Sequence, residues 1–422
     1  MINLRFIYTL LLGLFIPLIV LRLLWRSHSN PVYRQRIAER FAVIADPETP
    51  IKVWIHAVSV GETMAAKPLI EKLLAVYGDR AVMVSSTTPT GSDTVQRLFK
   101  NRVVHHYFPY DLPLIVNRYL RILKPDVLVC METEIWPNLW HSCYQRNIPV
   151  ILANARLSTR SKRRYQRFHK FVSGVLNNAS LIACRNEQDA ENFKAIGAQP
   201  HTVEVLGDIK SDIQVTDLDK QKARSFKNQW GLTRPVWVAA STHEGEDSLV
   251  LDMYTSLKSS INDLLLVIVP RHPERFSEVG KLIQSREFQW QSRSTNEAFS
   301  EDVEIVLGDS MGEMMSWYVA ADVVFMGGSL VATGGHNPLE PLACGVPVIS
   351  GPHVFNFKNT FEILEAEEAA FVAEDINELT DSALRLLENE NLRRQAGEKG
   401  LAVIDKNKGA TQRLVDEIQR LI

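Results

Sequence analysis

Apolar, β-leaning runs alternate with helical stretches along almost the whole chain, and that alternation constrains the fold more than any single motif. From Lys52 the runs are Val53–Ala57, Ala81–Ser85, Val103–Phe108, Val127–Met131, Val150–Asn154, Leu181–Cys184 and Val203–Leu206. Helical periodicity fills the gaps, as in Met64–Val76 and Leu114–Leu123. Strands joined through helices predict parallel sheets covered by helices on both faces, an α/β class. A polar stretch, Ser211–Thr233, interrupts the rhythm, which resumes at Val236–Ala240, Leu264–Val269, Val303–Leu307, Ala321–Met326 and Val346–Ile349. At 422 residues the chain exceeds one ordinary core. The expected organisation is an anchor with its basic flank over 1–30, one Rossmann-like domain over 31–210 and a linker over 211–233. A second such domain, with helices at its end, takes 234–422. Two domains facing one another across a cleft is the economical arrangement, because ligands bind at the carboxyl edges of such sheets.

The first 30 residues differ from the rest. No charge interrupts Phe6–Leu21, a run of 16 residues flanked by Arg5 on one side and Arg22 and Arg26 on the other. As a helix it covers about 24 Å, slightly short of a hydrocarbon core, and the flanking arginines would snorkel to make up the difference. A cleaved signal peptide would need small residues at its end, whereas LRLLWRSHSN is bulky and basic. A membrane anchor is therefore expected, and Arg34, Arg36 and Arg40 place the bulk of the protein on the cytoplasmic side. Cys130, Cys143, Cys184 and Cys344 lie far apart with no CxxC pair. That spacing suits free thiols and argues against a zinc site or a disulfide framework.

Polar residues cluster where the strands end. Glu62 follows the first run, either as an acid favourable to a helix dipole or as a general base, and a helix N-terminus there is expected to keep it ionised. Glu132 and Glu134 follow Val127–Met131 and need pairing; Asn154, Arg156, Arg160, Lys162, Arg163, Arg164 and Arg167 come next in line. A basic run of this kind is either a solvated helix face or an anion site. Without interleaved RNP-type aromatics, and beside an anchor, an anionic lipid or lipid-linked phosphate is favoured over RNA. In the second half Ser241 and Thr242 end one run, and Pro270 and Arg271 end the next, together a plausible phosphate clamp. Met311, Gly312 and Glu313 follow a third and would offer backbone groups to a base. In the stretch Gly327–Ser350 four glycines precede Asn337-Pro338-Leu339-Glu340, read as a helix start with Asn at N-cap, Pro at N1 and Glu at N3. Its free backbone N–H groups suit a phosphate. Glu340 is either a capping acid or a ligand of a ribose diol. No HxxxH or His/Asp pair supports a metal, and the one DxD, Asp217/Asp219, falls in the polar stretch and is expected to be solvated.

Taken together, HAVSVGE (His56–Glu62), METEIWPN (Met131–Asn138), NARLSTRS (Asn154–Ser161), PRHPER (Pro270–Arg275) and GGHNPLEP (Gly334–Pro341) resemble the bacterial Kdo transferases. Those enzymes move 3-deoxy-D-manno-octulosonic acid (Kdo) from CMP-Kdo onto the disaccharide precursor of lipid A at the inner membrane. The resemblance implies a GT-B fold, the donor in the C-terminal domain and the acceptor in the N-terminal one, with no cofactor, metal or nucleic acid. It carries the family's proton acceptor onto Glu62 and its transition-state-supporting residues onto Glu132 and Lys210. The CMP contacts fall on Pro270, Arg271, Met311–Glu313 and Asn337, Pro338, Leu339 and Glu340, with Ser241 and Thr242 beside them. Arg156, Arg160, Arg163 and Arg164 would meet the acceptor. Three positions depart from the pattern: Asp208 and Ser211 flank Lys210 where Asn and Phe are common, and Ala42 stands where a glycine is usual. The rival readings are a non-hydrolysing sugar-nucleotide 2-epimerase of similar fold and a catalytically silent, membrane-tethered nucleotide-binding protein.

Overall fold

A computed structural model describes residues 4–27, 34–295, 298–300, 302–406 and 408–422. The chain forms two compact units, Met1–Asp212 with Asn407–Ile422, and Ile213–Lys406. The expected boundary between anchor and first domain, at residue 30, lies outside the described residues.

The first unit is built on β1 (Val53–His56), β2 (Val82–Ser86), β3 (Val104–Tyr107), β4 (Val127–Met131), β5 (Val150–Ala155), β6 (Leu181–Cys184) and β7 (Val203–Val205). They form a seven-stranded sheet in the order β3-β2-β1-β4-β5-β6-β7, and every pairing is parallel. Successive side chains point to opposite faces and both faces are apolar. Trp54, Leu128 and Leu152 enter one core layer, while Val53, Ile55, Val127 and Ile151 enter the other. The second unit repeats the plan with β8 (Val236–Thr242), β9 (Leu265–Pro270), β10 (Trp290–Ser292), β11 (Ile305–Leu307), β12 (Val323–Met326), β13 (Val348–Ser350) and β14 (Ala370–Val372). Its order is β10-β11-β9-β8-β12-β13-β14. In each sheet the strand order reverses beside the first strand, between β1 and β4 and between β8 and β12, where the connections diverge and leave a crevice at the carboxyl edge. Glu62 and Glu132 follow the first pair of strands; Ser241 lies at the end of β8 and Gly327 follows β12.

Two segments differ from expectation. Within the stretch expected as a linker, Asp217–Trp230 is a helix with a complete capping box: Asp219 N donates to Thr216 Oγ1 at 3.1 Å and Thr216 N to Asp219 Oδ2 at 3.1 Å. Asp219 is thus a structural cap rather than a merely solvated acid. The helix buries a narrow stripe, Ala223, Phe226 and Trp230, and Phe226 stacks on Trp317 with ring centroids 4.2 Å apart. Polar composition hid three apolar positions spaced along one face. The other difference is at the end of the chain. The helix Ala410–Leu421 belongs to the first unit, where Ala410, Leu414, Val415 and Ile418 complete a core layer. The buried Asp212 carboxylate accepts from Gly409 N at 3.0 Å and Thr411 N at 2.9 Å, fixing the start of that helix.

The N-terminal helix runs Leu4–Arg26, 23 residues with an 18-residue stretch of mean hydropathy 2.4, long and apolar enough to cross a membrane. It extends past both ends of the uncharged run and contains Pro17. Tyr8 Oη donates to Asp111 Oδ2 at 3.0 Å, and Asn138 Nδ2 donates to Thr9 Oγ1 at 2.9 Å. Along the helix only Ile16 is buried, while Phe6, Leu10, Leu14, Leu18, Leu21 and Trp25 are exposed. Asp212→Ala is expected to cost about 1–3 kcal/mol, since it leaves two amides of a helix start unpaired. It should lower the melting temperature and speed hydrogen exchange in residues 410–421; unchanged exchange there would show that apolar packing alone seats the helix.

Candidate active site

In the first unit the helix Val60–Tyr77 follows β1, with Ser59 as its N-cap. Glu62 folds back on that cap: Val58 N donates to Oε2 at 2.9 Å and Ser59 Oγ to Oε1 at 3.3 Å. The carboxyl is not held ionised, as the helix dipole alone would predict. Burial pushes its pKa up to about 7, and the nearby charges of Glu134 and Glu132 add to the rise against the lowering bonds from Val58 and Ser59. A carboxyl that exchanges its proton near neutrality is the result.

Glu132 stands at the end of β4 with φ +53, a left-handed conformation rare for a side chain of this kind. Its amide donates to Ala153 O at 2.8 Å. The turn aims the carboxylate at two cations: Lys210 Nζ donates to Oε1 at 2.6 Å, and Arg156 Nε lies 3.2 Å from Oε2. Asn154, at φ +52, accepts from Ile209 N through Oδ1 at 3.1 Å, so the end of β5 positions the turn that carries Lys210. Asp208, one of the departures from the family pattern, accepts from Lys210 N at 2.9 Å and tightens the same turn. Glu134 points elsewhere, accepting from Trp136 Nε1 at 3.0 Å with the buried His56 Nε2 3.7 Å away.

The four arginines divide. Arg156 is committed to Glu132, whereas Arg160, Arg163 and Arg164 lie exposed on the helix Thr159–Gln166 with no hydrogen bond or ion pair among the described residues.

In the second unit several groups expected to contact the nucleotide are otherwise engaged. Thr242 is fully buried and its hydroxyl donates to Asp247 Oδ1 at 2.6 Å, so it is not a free phosphate donor. Ser241 precedes it at φ +56. Arg271 N donates to Thr242 O at 3.0 Å, while the Arg271 guanidinium has no hydrogen bond or ion pair among the described residues. Pro270 is buried at the end of β9. Met311 is exposed and Gly312 turns at φ +79. The buried Glu313 takes Arg293 Nε at 3.0 Å, Lys222 Nζ at 3.0 Å and Ser310 Oγ at 2.6 Å. Burial opposes its ionisation, but the bonds from Arg293, Ser310 and Lys222 outweigh it and hold the carboxyl at about 2. The Glu313 carboxylate is thus committed within the protein, which leaves the backbone and the exposed Met311 side chain as the open groups of this loop.

The glycine-rich loop also departs from expectation. The fully buried Glu246 accepts from Gly328 N at 2.7 Å, Ser329 N at 2.9 Å and Leu330 N at 2.8 Å, and from His243 N at 2.9 Å. The amides that looked free for a phosphate are therefore held by a carboxylate of the protein itself. The loop is tightly seated: a Cβ on Gly327 would meet Ser241 O at 2.4 Å. The role of Glu246 is not legible in the sequence because three of its four partners lie more than eighty positions away. Its one signal was an acid at a strand end. The following helix, Leu339–Ala343, starts later than predicted, with Pro338 at N-cap and Asn337 Oδ1 accepting from Leu339 N at 3.2 Å. Glu340 is not a capping-box acid; burial raises its pKa against a hydrogen bond with Asn337 and the charge of Arg271.

Comparison with known proteins fits this geometry. Residues 35–213 match the family model 3-deoxy-D-manno-octulosonic-acid transferase (kdotransferase), and residues 237–403 match glycosyl transferases group 1. A 3-deoxy-D-manno-octulosonic acid transferase of Haemophilus influenzae is 41% identical over 418 residues, 98% of this chain and 97% of that protein. The chain belongs to the Kdo transferases. A Kdo transferase of Bordetella pertussis is 33% identical, over 87% of this chain and 86% of its own. Among solved structures, the UDP-GlcNAc 2-epimerase of Neisseria meningitidis superposes with TM-score 0.55 at 15% identity, over 88% of this chain and all of that one. MurG of Acinetobacter baumannii superposes with TM-score 0.54 at 14% identity, with the same coverage. At such identities these likenesses speak for the GT-B fold alone. The Kdo transferase is thus a glycosyltransferase, and the readings as an epimerase or a silent binding protein fall away.

Glu246→Ala is expected to destabilise the second unit by about 3 kcal/mol or more, since four amides lose one acceptor in a dry site. Thermal unfolding checks it; a change below about 0.5 kcal/mol would mean that the loop holds its shape without the carboxylate.

Proposed function

We propose that this Kdo transferase moves Kdo from CMP-Kdo onto the disaccharide precursor of lipid A, with Glu62 as general base. The observation that carries the reading is the pairing of functions at the carboxyl edge of the first sheet. A carboxyl with its pKa near 7 stands in the turn after β1, and a carboxylate clamped between Lys210 and Arg156 stands in the turn after β4.

The acceptor is a sugar hydroxyl, a weak nucleophile until its proton is removed as the new bond forms. Glu62 takes that proton, the oxygen bonds to the anomeric carbon of Kdo, and the bond from that carbon to the phosphate oxygen breaks, releasing CMP with inversion. The transition state is oxocarbenium-like, as in glycosidases. Glu132 in its ion pairs holds Lys210 and Arg156 oriented and offsets positive charge developing at the anomeric carbon. Arg271, Ser241 and the backbone of Met311–Glu313 and Asn337–Glu340 receive CMP, with Glu340 on the ribose and Arg271 near the phosphate. Arg160, Arg163 and Arg164 contact acceptor phosphates. The reaction so written asks for no metal. The Leu4–Arg26 helix anchors the enzyme in the inner membrane with its catalytic units on the cytoplasmic side, where Arg34, Arg36 and Arg40 lie downstream.

Incubation with CMP-Kdo and the disaccharide precursor should add whole Kdo units to the lipid by mass, and a protein that leaves the lipid unchanged would sink the proposal. With Glu62→Gln, single-turnover transfer should fall by roughly 10²–10⁴-fold while CMP affinity stays near that of the unmodified enzyme. Because the base acts only when ionised and its pKa is raised, kcat/KM should climb with pH and level off above about 7. A flat profile from pH 5 to 8 would remove Glu62 from the role. Neutralising Arg160 and Arg163 together should raise acceptor KM at least about tenfold and leave donor KM within about twofold. An equal change in both would return these residues to an ordinary solvated face.

A further inference from the structure

Three histidines converge at neighbouring strand ends of the second unit: His243 after β8, His272 after β9 and His336 in the loop that follows β12. The His243 and His336 rings stack at 13° with centroids 5.1 Å apart, their Nε2 atoms 2.9 Å apart in a hydrogen bond. His272 stands edge-on to His243 at 5.4 Å between centroids. The arrangement is built into the fold. Glu246 binds His243 N and the amides of Gly328, Ser329 and Leu330, tying together the two backbones that carry the pair. Gly328, at φ +70, lets the loop pass close to the ring; a Cβ there would lie 3.3 Å from His336 and 2.7 Å from Thr333 Oγ1.

Tautomer counting fixes what such a pair presents. One ring donates its Nε2–H; the other accepts at Nε2, so its own proton must sit on Nδ1. The pair therefore always carries at least one Nδ1–H donor. Neither Nδ1 has a hydrogen-bond partner among the described residues, and neither is among the sealed polar atoms. Burial, with the charge of Arg271 among the further causes, lowers both histidine pKa values, His336 to about 4, so the pair is neutral at physiological pH. An oriented, uncharged donor is thus left within electrostatic reach of the Arg271 guanidinium, whose charge acts on both rings.

We propose that the His243–His336 pair binds the carboxylate of the donor sugar through its outward Nδ1–H, next to a phosphate site at Arg271. The assignment rests on CMP-Kdo being the donor. In a CMP-activated 2-ulosonic acid the carboxylate and the phosphate oxygen are substituents of the same anomeric carbon. The groups that recognise the two anions must therefore be neighbours, as Arg271 and the histidines are. A donor with a neutral sugar would need only the phosphate site, so the pair is a specificity device for acidic sugars.

The test is His243→Gln/His336→Gln, which retains amide contacts between the two positions and removes the imidazole Nδ1–H donor. In one transfer assay, KM for CMP-Kdo and the inhibition constant of CMP, which has the phosphate but no carboxylate, are measured side by side. The KM for CMP-Kdo should rise about ten- to a hundredfold and the CMP constant stay within about twofold. Equal weakening of both would mean that the pair reads the phosphate, and no weakening of either would make it structural; each overturns the proposal. Should the double variant not fold, His243→Gln and His336→Gln are read singly by the same ratio, and at least one must show the selective loss. Failure of the unmodified enzyme to use CMP-Kdo would instead defeat the functional reading beneath the proposal, and needs no variant to be seen.

Discussion

Parallel pairing with both faces buried is the constraint on which the rest of this structure depends. The strands flanking the two reversals of order, β1, β4, β8 and β12, are apolar up to their last residues, where β1 ends in His56 and β8 in Ser241 and Thr242, so polar groups gather at the carboxyl edges and in the turns that leave them. Those turns are correspondingly strained. Glu132, Asn154 and Ser241 all adopt positive φ at or just before the point where a strand gives way to a loop. Such conformations cost of order 1–3 kcal/mol each and persist because the sheets on one side and the hydrogen bonds on the other over-determine them.

The acids at these edges show how far environment sets chemistry. Glu62 has hydrogen bonds from one amide and one hydroxyl, but burial and two neighbouring carboxylates bring it close to neutrality. Glu313, also buried, is driven the other way by Arg293, Ser310 and Lys222. Glu246 is saturated by four amides and shapes a loop. Proton transfer near pH 7 is thus open to Glu62, while the bonds of Glu313 and Glu246 make those two part of the scaffold.

The superpositions on an epimerase and on MurG reflect a shared architecture and nothing finer. Identity of 41% along nearly the whole length is of another order, and it is there that the family is decided. The parts specific to this chain lie on the shared frame. The Asp208 turn replaces one family residue with another side chain able to cap Lys210, so the departure is absorbed locally.

Alternating strand and helix patterns determined the two sheets, and short motifs at strand ends determined where polar chemistry gathers. Both are legible because residue periodicity and turn chemistry act over a few positions. The sequence also brought Glu62, Glu132 and Lys210 forward, through motifs that keep their order. Tertiary structure decided everything that depends on partners distant in the chain. The helix Asp217–Trp230 was hidden by its polar composition until Phe226 met Trp317. The last helix returned to the first sheet because a bare apolar face and the Asp212 carboxylate awaited it there. Thr242 and the Gly328–Leu330 amides looked available until Asp247 and Glu246 were seen to occupy them. Glu62 gained its pKa from burial and from charges seventy positions away. Dipoles and caps are local and can be read along a chain, whereas desolvation and long-range pairing exist only once the chain has folded.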